Sequence, residues 1–261
     1  MTARAPLRFA LLGSGSQGNG LIVTAGATRI LVDCGFTVRE TERRLARLGL
    51  DPAMIAAVAV THEHGDHASG ASAFARRYRC PLWTTRGTWR VVRNGGGAHV
   101  EVRFLDAGRS VGIGDIEMMP YAVPHDSCEP VQFVFSDGSR RLGLLTDAGS
   151  VTVHIKQCLD GCDALILECN HDALLLQESR YPASLKQRIG GPLGHLSNEQ
   201  SAGLLSRLLG ARLQHVVAAH LSEKNNRPEL ARSALCAALG CAPGWIDVAD
   251  QETGLGWREL R

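Results

Sequence analysis

The sequence lacks the cysteine patterns that stabilise small secreted or zinc-stapled domains. None of its eight cysteines belongs to a Cys-x-x-Cys pair, and their wide spacing does not form a compact disulfide framework. The pattern argues against a structural zinc finger and against a disulfide-dependent fold. We expect mostly buried, reduced thiols, which are typical of a cytoplasmic protein.

Long apolar runs and strong charge are also missing. No apolar segment reaches the length of a membrane span, so no membrane contact is expected. The short apolar stretch at residues 7–12 is followed at once by Gly and Ser, which is typical of a first strand and not of a signal peptide. With 28 basic and 26 acidic residues, the net charge of +2 does not by itself indicate a nucleic-acid binder.

The overall composition is that of an ordinary soluble globular protein. The 261 residues are 44% hydrophobic and 21% charged, enough for a large core without staples. We expect one domain over residues 1–261, with strands and helices interleaved over two sheets. We found no internal repeat, heptad run or low-complexity linker, and Asn-Gly-Gly-Gly at residues 94–97 is the loosest segment.

Hydrophobic periodicity predicts alternating strands and helices. Predicted strands lie at residues 9–12, 21–24, 29–32, 55–60, 100–105, 113–119, 131–135, 141–146, 164–168 and 215–219. Predicted helices lie at residues 38–48, 69–79, 202–209 and 229–239. Ser197 and Gln200 have the spacing of a capping box, which predicts a helix start there.

The sequence Thr-His-Glu-His-Gly-Asp-His, at residues 61–67, directly follows a predicted buried strand. Aspartate and neutral histidine are common ligands of zinc, manganese and iron. A loop at a strand end can aim alternate side chains at two neighbouring points. We therefore predict two metal ions, one held by His62 and His64 and the other by Asp66 and His67. The alternative is a solvated polar loop that happens to contain three histidines.

Three more candidate ligands stand at the ends of predicted strands. His125 follows residues 118–123, Asp147 ends the strand at 141–146, and His220 ends the strand at 215–219. Taken singly, each has an ordinary interpretation, as a surface histidine, a turn residue or a satisfied buried histidine. Taken together they complete two metal shells, with Asp147 as the bridging carboxylate.

In this order, the seven candidate ligands resemble the metallo-β-lactamase superfamily. The resemblance covers essentially the whole chain, and it implies a four-layer αβ/βα sandwich of two mixed sheets flanked by helices. Val-Asp-Cys-Gly at residues 32–35 matches the first motif of the superfamily. The resemblance implies that Asp33 supports the ligand loop without touching metal.

Four shorter motifs are similar to the YycJ/WalJ-type branch of this superfamily. They are Leu-Gly-Ser-Gly-Ser-x-Gly-Asn at 12–19, Glu-Cys-Asn-His-Asp at 168–172, Gly-His-Leu-Ser-Asn at 194–198 and His-Leu-Ser-x-x-Asn-Asn at 220–226. The resemblance implies a DNA exonuclease of 5′-to-3′ polarity, with DNA as partner and a role alongside DNA-repair proteins. RNase Z and RNase J are more distant relatives, and the chain has no room for the inserted second domain of RNase J.

The expected chemistry is hydrolysis of a phosphodiester. Two ions bridged by Asp147 would lower the pKa of a water, and the resulting hydroxide would attack phosphorus. Asp66 could orient that hydroxide. His195 is the candidate general acid or phosphate clamp, since histidine can donate a proton near pH 7, and the alternative is a histidine at a helix entry without a role. By analogy with RNase Z-like enzymes, Glu168 would orient His195.

Contacts with the substrate are predicted for four residues. These are His195, Ser197, Asn225 and Asn226. Ser197 precedes a helix whose free amides could hold an anion, and the two asparagines can donate to phosphate oxygens. His171 and Asp172 stay open between a supporting role, a substrate contact and a ligand.

Six arginines with two interleaved tryptophans follow the ligand loop. This stretch could bind a nucleic-acid backbone, or it could equally be a solvated helix face over core tryptophans. Its residues are Arg76, Arg77, Arg79, Arg86, Arg90 and Arg93, with Trp83 and Trp89. The runner-up function is a small-molecule hydrolase (thioesterase, lactonase or cyclic phosphodiesterase) on the same centre, because fold does not fix function. A non-catalytic nucleic-acid-binding protein is the third hypothesis. The sequence leaves the native metal and the oligomeric state open.

Overall fold

The computed structural model describes residues 5–93, 100–208 and 212–261. Within these ranges, two seven-stranded mixed sheets pack face to face and helices cover the outer face of each. The αβ/βα architecture expected from the sequence is confirmed. The predicted loose segment at residues 94–97 lies outside the described residues.

The first sheet has the strand order β14-β1-β2-β3-β4-β5-β6. Its strands are β1 Arg8–Gly13, β2 Gly20–Ala25, β3 Thr28–Val32, β4 Ala57–Ala59, β5 Leu82–Thr84, β6 Val102–Phe104 and β14 Leu255–Glu259. Strands β14, β1, β2 and β3 pair antiparallel, whereas β3, β4, β5 and β6 pair parallel. The parallel half places the carboxyl ends of β3 and β4 side by side.

The second sheet repeats this arrangement with the order β13-β12-β11-β10-β9-β8-β7. Its strands are β7 Val111–Ile113, β8 Ile116–Ala122, β9 Val131–Ser136, β10 Arg141–Leu145, β11 Ala164–Glu168, β12 His215–Ala219 and β13 Ile246–Val248. Pairing is antiparallel from β7 to β10 and parallel from β10 to β13. The carboxyl ends of β10, β11 and β12 therefore lie at one edge of the sheet.

The helices connect and cover the strands. They are α1 Val38–Arg47, α2 Gly65–Ala68, α3 Ala71–Tyr78, α4 Arg86–Val92, α5 Val153–Leu159, α6 Ala173–Glu178, α7 Ala183–Ile189, α8 Asn198–Leu205 and α9 Pro228–Leu239. Several helices begin with a side-chain cap. The Thr37 side chain accepts a hydrogen bond from the backbone N–H of Glu40, and Ser197 forms the predicted capping box with Gln200. These caps satisfy amides that a helix start otherwise leaves without partners.

The core has three layers because alternate residues of each strand face opposite sides of the sheet. In β11, Ile166 belongs to the cluster between the two sheets, whereas Leu165 and Leu167 belong to the cluster beneath the helices of the second sheet. In β4, Val58 packs under the helices of the first sheet. Burying each such side chain stabilises the fold by about 1.5–3 kcal/mol relative to exposure.

Three residues at the inner strand ends adopt left-handed backbone conformations. Asp33, Asp147 and His220 have φ values of 57°, 51° and 55°. This conformation is uncommon for residues other than glycine, and it persists only where surrounding contacts hold it. Each residue follows the end of a strand, so the chain turns sharply there and aims the side chain along the sheet edge.

Several predicted boundaries differ from the structure. The strand predicted at residues 113–119 is divided, because Gly114 has a φ of 56° and makes a hairpin turn between β7 and β8. The helix predicted at 69–79 corresponds to the shorter α3, and a separate short helix that was not predicted, α2, takes in part of the ligand loop. Strands β5, β13 and β14 and helices α4 to α7 were not predicted.

Candidate metal centre

The ligand loop leaves β4 and turns at once into the short helix α2, with His64 at its N-cap. Asp33, at the end of the neighbouring strand β3, holds this turn. Its carboxylate accepts hydrogen bonds from the backbone N–H of Thr61 at 2.8 Å and from the Thr61 hydroxyl at 2.9 Å. The buried carboxylate thus fixes the point from which the ligand side chains project.

One group of ligand atoms consists of three imidazole nitrogens. The Nδ1 atom of His64 lies 3.1 Å from Nε2 of His62 and 3.2 Å from Nε2 of His125. Lone pairs on three ring nitrogens repel one another when they converge this closely, unless a proton or a cation lies between them, so a cation is chemically the natural occupant. The structure brings His125, from the loop after β8, to the pair predicted from the loop alone.

A second group combines a carboxylate with two imidazoles. Oδ2 of Asp66 lies 3.4 Å from Nε2 of His67 and 3.3 Å from Nε2 of His220. His67 comes from α2 and His220 from the end of β12. The backbone N–H of His220 donates to the Ser14 hydroxyl at 2.8 Å, which supports its left-handed turn.

Asp147 stands between the two groups. Its Oδ2 lies 3.1 Å from Nε2 of His67, and its Oδ1 lies 3.6 Å from Nε2 of His220 and 4.0 Å from Nε2 of His125. Oδ2 is buried and none of the described residues donates a well-aligned hydrogen bond to it. A buried carboxylate oxygen without a donor is costly unless a cation binds it, so this donor set is compatible with divalent metal.

The ring nitrogens that point away from the ligand groups are also bound. Nδ1 of His67 lies 2.8 Å from Oδ2 of Asp33, and Nδ1 of His125 lies 3.0 Å from the carbonyl oxygen of Gly194. Acceptors in these positions keep the proton on Nδ1 and leave Nε2 as the ligand atom. The same hydrogen bonds fix the orientation of each ring.

The pKa values show how strongly these groups interact. Burial lowers the pKa of His62 well below its usual value, which keeps the ring neutral. Burial also opposes protonation of His220, but Asp147, Asp66 and Glu168 raise its pKa to about 10. Burial would raise the pKa of Asp66, yet His67 and His220 lower it well below the usual range. The carboxylates therefore stay ionised and require nearby positive charge.

His195 and Glu168 form a pair beside the ligand groups. Nδ1 of His195 lies 2.8 Å from Oε1 of Glu168, whose other oxygen accepts from the backbone N–H groups of Ala148 and Leu196 at 3.0 Å. Burial would raise the pKa of Glu168, but His195 lowers it to about 2. Nδ1 of His195 also lies 3.5 Å from Asp147, so the pair belongs to the same centre.

A cavity of about 350 Å³ opens over the centre. The ligands His64, Asp66, Asp147 and His220 line it together with His195. Gly65 and Arg188 line it as well and are exposed, so the cavity communicates with solvent. A volume of this size lies at the low end of the range for ligand sites.

The structure places the predicted substrate contacts Ser197, Asn225 and Asn226 in the interior of the fold. None of the three lines the cavity, and all are buried. The hydroxyl and N–H of Ser197 are engaged in the capping box, and the N–H of Asn198 donates to the His171 carbonyl, so these groups already have partners. Asn226 exchanges amide hydrogen bonds with Asn198 at 2.9 Å, which holds two loops together.

The structure also shows the surroundings of His171 and Asp172, whose roles the sequence left open. Asp172 is the N-cap of α6 and accepts from two of its first backbone N–H groups. His171 is buried and forms a backbone bridge to Ser197. Neither belongs to the ligand groups found among the described residues.

The sequence missed the cavity residues contributed by the segment before His195. Leu185, Arg188 and Ile189 on α7 line the cavity, and so does Asp126. Asp126 follows a candidate ligand directly, a position that carries some signal in the sequence. The sequence of helix α7 carried no such signal, because its seven residues lack a clear apolar period.

The arginine-tryptophan stretch mostly follows its ordinary interpretation. Trp83 is buried in the core between the sheets, and Trp89 packs against the core of the first sheet. Arg77 lies 2.9 Å from Glu42, and Arg86 lies 3.5 Å from Asp106. The Gly-rich loop at residues 12–19 supports the ligand loop, since Asn19 donates to the Asp66 carbonyl, and it also brings Ser16 to the cavity.

Comparison with known proteins places this geometry in a family. A model described as the β-lactamase superfamily domain matches residues 28–220. Exodeoxyribonuclease YycJ of Bacillus anthracis is 35% identical over 235 residues, which cover 89% of each protein. Exodeoxyribonuclease WalJ of Streptococcus pneumoniae is 33% identical over 239 residues, covering 90% of this chain and 89% of the relative.

The chain belongs to the YycJ/WalJ branch of the metallo-β-lactamase superfamily. Solved structures show the same fold at low identity. The metallo-β-lactamase fold protein YhfI from Bacillus subtilis has a TM-score of 0.74 and 15% identity, covering 97% of this chain and 100% of that protein. The short form of human tRNase Z has a TM-score of 0.68 and 15% identity, covering 97% and 99%.

Membership in the metallo-β-lactamase superfamily confirms that the chain is a metal-dependent hydrolase, as expected from the sequence. The family implies divalent metal ions, and the ligand groups described above are compatible with them. In the described parts of the chain, no helix has the length and apolar character needed to cross a bilayer. All eight cysteines are free thiols.

Proposed function

We propose that the chain is a two-metal DNA exonuclease that digests in the 5′-to-3′ direction. The observation that carries the proposal is the His195–Glu168 pair beside the bridging carboxylate Asp147. A phosphodiester needs its leaving oxygen protonated, and this pair supplies a proton donor beside the predicted metal ions. A thioester has a weaker need for such a donor, because a thiolate leaves readily without a proton.

The metal ions would be held by two groups that share Asp147. His62, His64 and His125 form one, and Asp66, His67 and His220 form the other. Bound divalent ions lower the pKa of a water and neutralise charge on phosphate oxygens. Zinc, manganese and iron all suit histidine and aspartate ligands, so the native metal is left to experiment.

The protein's own groups would handle the proton of the leaving oxygen. Glu168 binds Nδ1 of His195, which leaves Nε2 to donate towards the cavity. Burial lowers the pKa of His195, but the charge of Glu168 and its hydrogen bond raise it above the usual value, which favours the protonated, donating form of the ring. Asp66, which lines the cavity, would orient the attacking water as well as bind metal.

The names of the YycJ and WalJ relatives support DNA as the substrate and partner. The proposal places the enzyme in the cytoplasm, where the free thiols would stay reduced, and assigns it to DNA repair. A small-molecule hydrolase is the alternative, since the cavity could accept a single mononucleotide-sized ester. The exposed Arg188 at its edge favours a longer, charged substrate that extends beyond it.

The decisive test is digestion of end-labelled single- and double-stranded DNA with Mn²⁺ or Zn²⁺. Wild type should release mononucleotides from a free 5′ end and stall on a 5′-blocked strand, whereas an Asp66→Ala variant should leave DNA intact. Asp172→Asn is the matched control, because Asn keeps the N-cap of α6 and Asp172 is outside the ligand groups. No metal-dependent cleavage of any DNA would contradict the proposal.

A further inference from the structure

Helix α7 forms a wall of the cavity whose chemistry is not used by the metal centre. Leu185, Arg188 and Ile189 line the cavity from this helix. Residues three and four apart lie on one helix face, so the three side chains make a single surface. That surface is apolar apart from one cation. Leu185 and Ile189 are half-buried apolar side chains, and the Arg188 side chain is 63% exposed.

Asp126 fixes the position of Arg188. The Nε of Arg188 donates to Oδ2 of Asp126 at 2.7 Å. The other oxygen of Asp126 lies 3.9 Å from Nε2 of His64 and 3.5 Å from Nε2 of His125. A single carboxylate therefore separates the Arg188 guanidinium from two candidate metal ligands. Any substrate phosphate at the centre would have this guanidinium as a close neighbour.

The guanidinium keeps donors available for a ligand. Asp126 binds only Nε, and among the described residues no hydrogen bond or ion pair engages the two terminal nitrogens of Arg188. Guanidinium is planar and donates two parallel hydrogen bonds, a geometry that matches a phosphate group. A purely structural ion pair has no need of a cavity-lining position.

The loop after α7 is tied down, so Arg188 is held at a defined place. The Leu193 carbonyl accepts from the backbone N–H of Asp126 at 3.0 Å, and the Gly194 carbonyl oxygen lies 3.0 Å from Nδ1 of His125. The N–H of His195 donates to the carbonyl of Ile189 at 2.8 Å. The helix that carries Arg188 is thereby connected directly to a metal-ligand loop and to the proton donor.

We propose that Arg188 binds the backbone phosphate that neighbours the scissile one, so that α7 is the wall of the cavity that recognises a nucleic-acid strand. The proposal rests on the proposed nuclease function and adds a substrate contact to it. The apolar surface of Leu185 and Ile189 contacts the nucleoside attached to that phosphate. A small phosphodiester with no neighbouring phosphate does not use Arg188.

Two substrates and three variants test the assignment. The variants are Arg188→Gln, Arg188→Lys and, as matched control, Arg109→Gln, which changes an exposed arginine in the β6–β7 turn outside the cavity. The substrates are single-stranded DNA and bis(p-nitrophenyl) phosphate. Arg188→Gln should lower kcat/KM on DNA by roughly tenfold or more, mainly through KM, since charge-assisted hydrogen bonds are lost. Activity on bis(p-nitrophenyl) phosphate should change less than twofold.

A binding measurement gives a readout that does not depend on turnover. Fluorescence anisotropy with a hydrolysis-resistant phosphorothioate oligonucleotide should show weaker binding by Arg188→Gln. The slope of log affinity against log salt should fall by about 0.7, the value expected for one lost contact to single-stranded nucleic acid. Arg188→Lys should restore most of that slope, because it keeps the charge, and Arg109→Gln should match wild type.

The outcomes separate this inference from the proposed function. Equal losses on both substrates, or unchanged oligonucleotide binding and salt slope, would overturn the role of Arg188 while wild-type DNA cleavage kept the nuclease function intact. If wild type hydrolyses bis(p-nitrophenyl) phosphate but neither cleaves nor binds DNA, the nuclease function fails and the phosphate contact fails with it.

Discussion

Nδ1 of His195 lies 2.8 Å from Oε1 of Glu168, a carboxylate that is 0% exposed. Glu168 ends strand β11 and His195 follows the loop after α7, so two distant parts of the chain meet beside Asp147. A buried carboxylate that orients a histidine is the arrangement expected of a general acid. It places the proton donor directly beside the groups that would hold metal.

Replacing His195 should affect poor leaving groups more than good ones. His195→Ala should lower kcat on DNA by about 10²–10⁴-fold, because an alkoxide leaving group requires a proton. Hydrolysis of bis(p-nitrophenyl) phosphate should fall far less, since p-nitrophenolate leaves without one. Metal content, measured by elemental analysis, is the control and should stay at the wild-type value. Equal losses on both substrates would argue against a proton-donor role.

Removing the charge of Glu168 should shift the pH dependence of DNA cleavage. Burial lowers the pKa of His195, and Glu168 raises it above the usual value. The protonated ring is therefore present below this raised pKa and is lost as pH rises through it. Glu168→Gln should move the alkaline limb of the kcat profile to lower pH, whereas a shift to higher pH would contradict the assignment.

Asp33 should matter for metal affinity although it binds no metal. It accepts from Thr61 and lies 2.8 Å from Nδ1 of His67. Asp33→Ala should weaken metal binding by roughly 10–100-fold, the usual effect of losing a partner behind a ligand histidine. It should also lower the free energy of unfolding by about 3 kcal/mol, since buried donors lose their acceptor. Asp33→Asn should be milder in both measurements, because Asn tolerates the left-handed backbone.

A surface substitution should stabilise the fold without touching the centre. Arg79 ends helix α3 with a φ of 54°, and its N–H donates to the carbonyl of Ala75. Arg79→Gly should raise the free energy of unfolding by about 1 kcal/mol, because glycine adopts this conformation without a steric penalty. Arg77→Gly, within the same helix, should destabilise by a similar amount. Urea unfolding checks both, and a less stable Arg79→Gly would contradict the account.

The sequence was most informative where ligand residues follow buried strands. His62, His64, Asp66 and His67 follow β4, and the apolar strand before them marks the sheet edge at which they meet. Asp147 and His220 meet at the corresponding edge of the second sheet, since parallel strands bring their carboxyl ends together. The expectation that residues 1–261 form a single domain is not tested by these contacts and stays a prediction.

Positions set by tertiary contacts were less visible in the sequence. Ser197 has the chemistry of an anion contact, but the capping box that the same sequence predicts uses its hydroxyl and N–H. Arg188 is an ordinary arginine in a helix without a clear period, and only the pairing with Asp126 brings it to the cavity. Periodicity locates an element, whereas its packing direction depends on contacts distant in the chain.

The most direct test of two ions sharing one carboxylate is the metal content of purified protein, measured alongside DNA cleavage. Wild type should bind two equivalents of a divalent metal and cleave DNA. Asp66→Ala should keep one equivalent, since the group of His62, His64 and His125 is intact, and Asp147→Ala should lose most of both, because Asp147 lies between the groups. One equivalent in active wild type, or two in Asp147→Ala, would contradict the account.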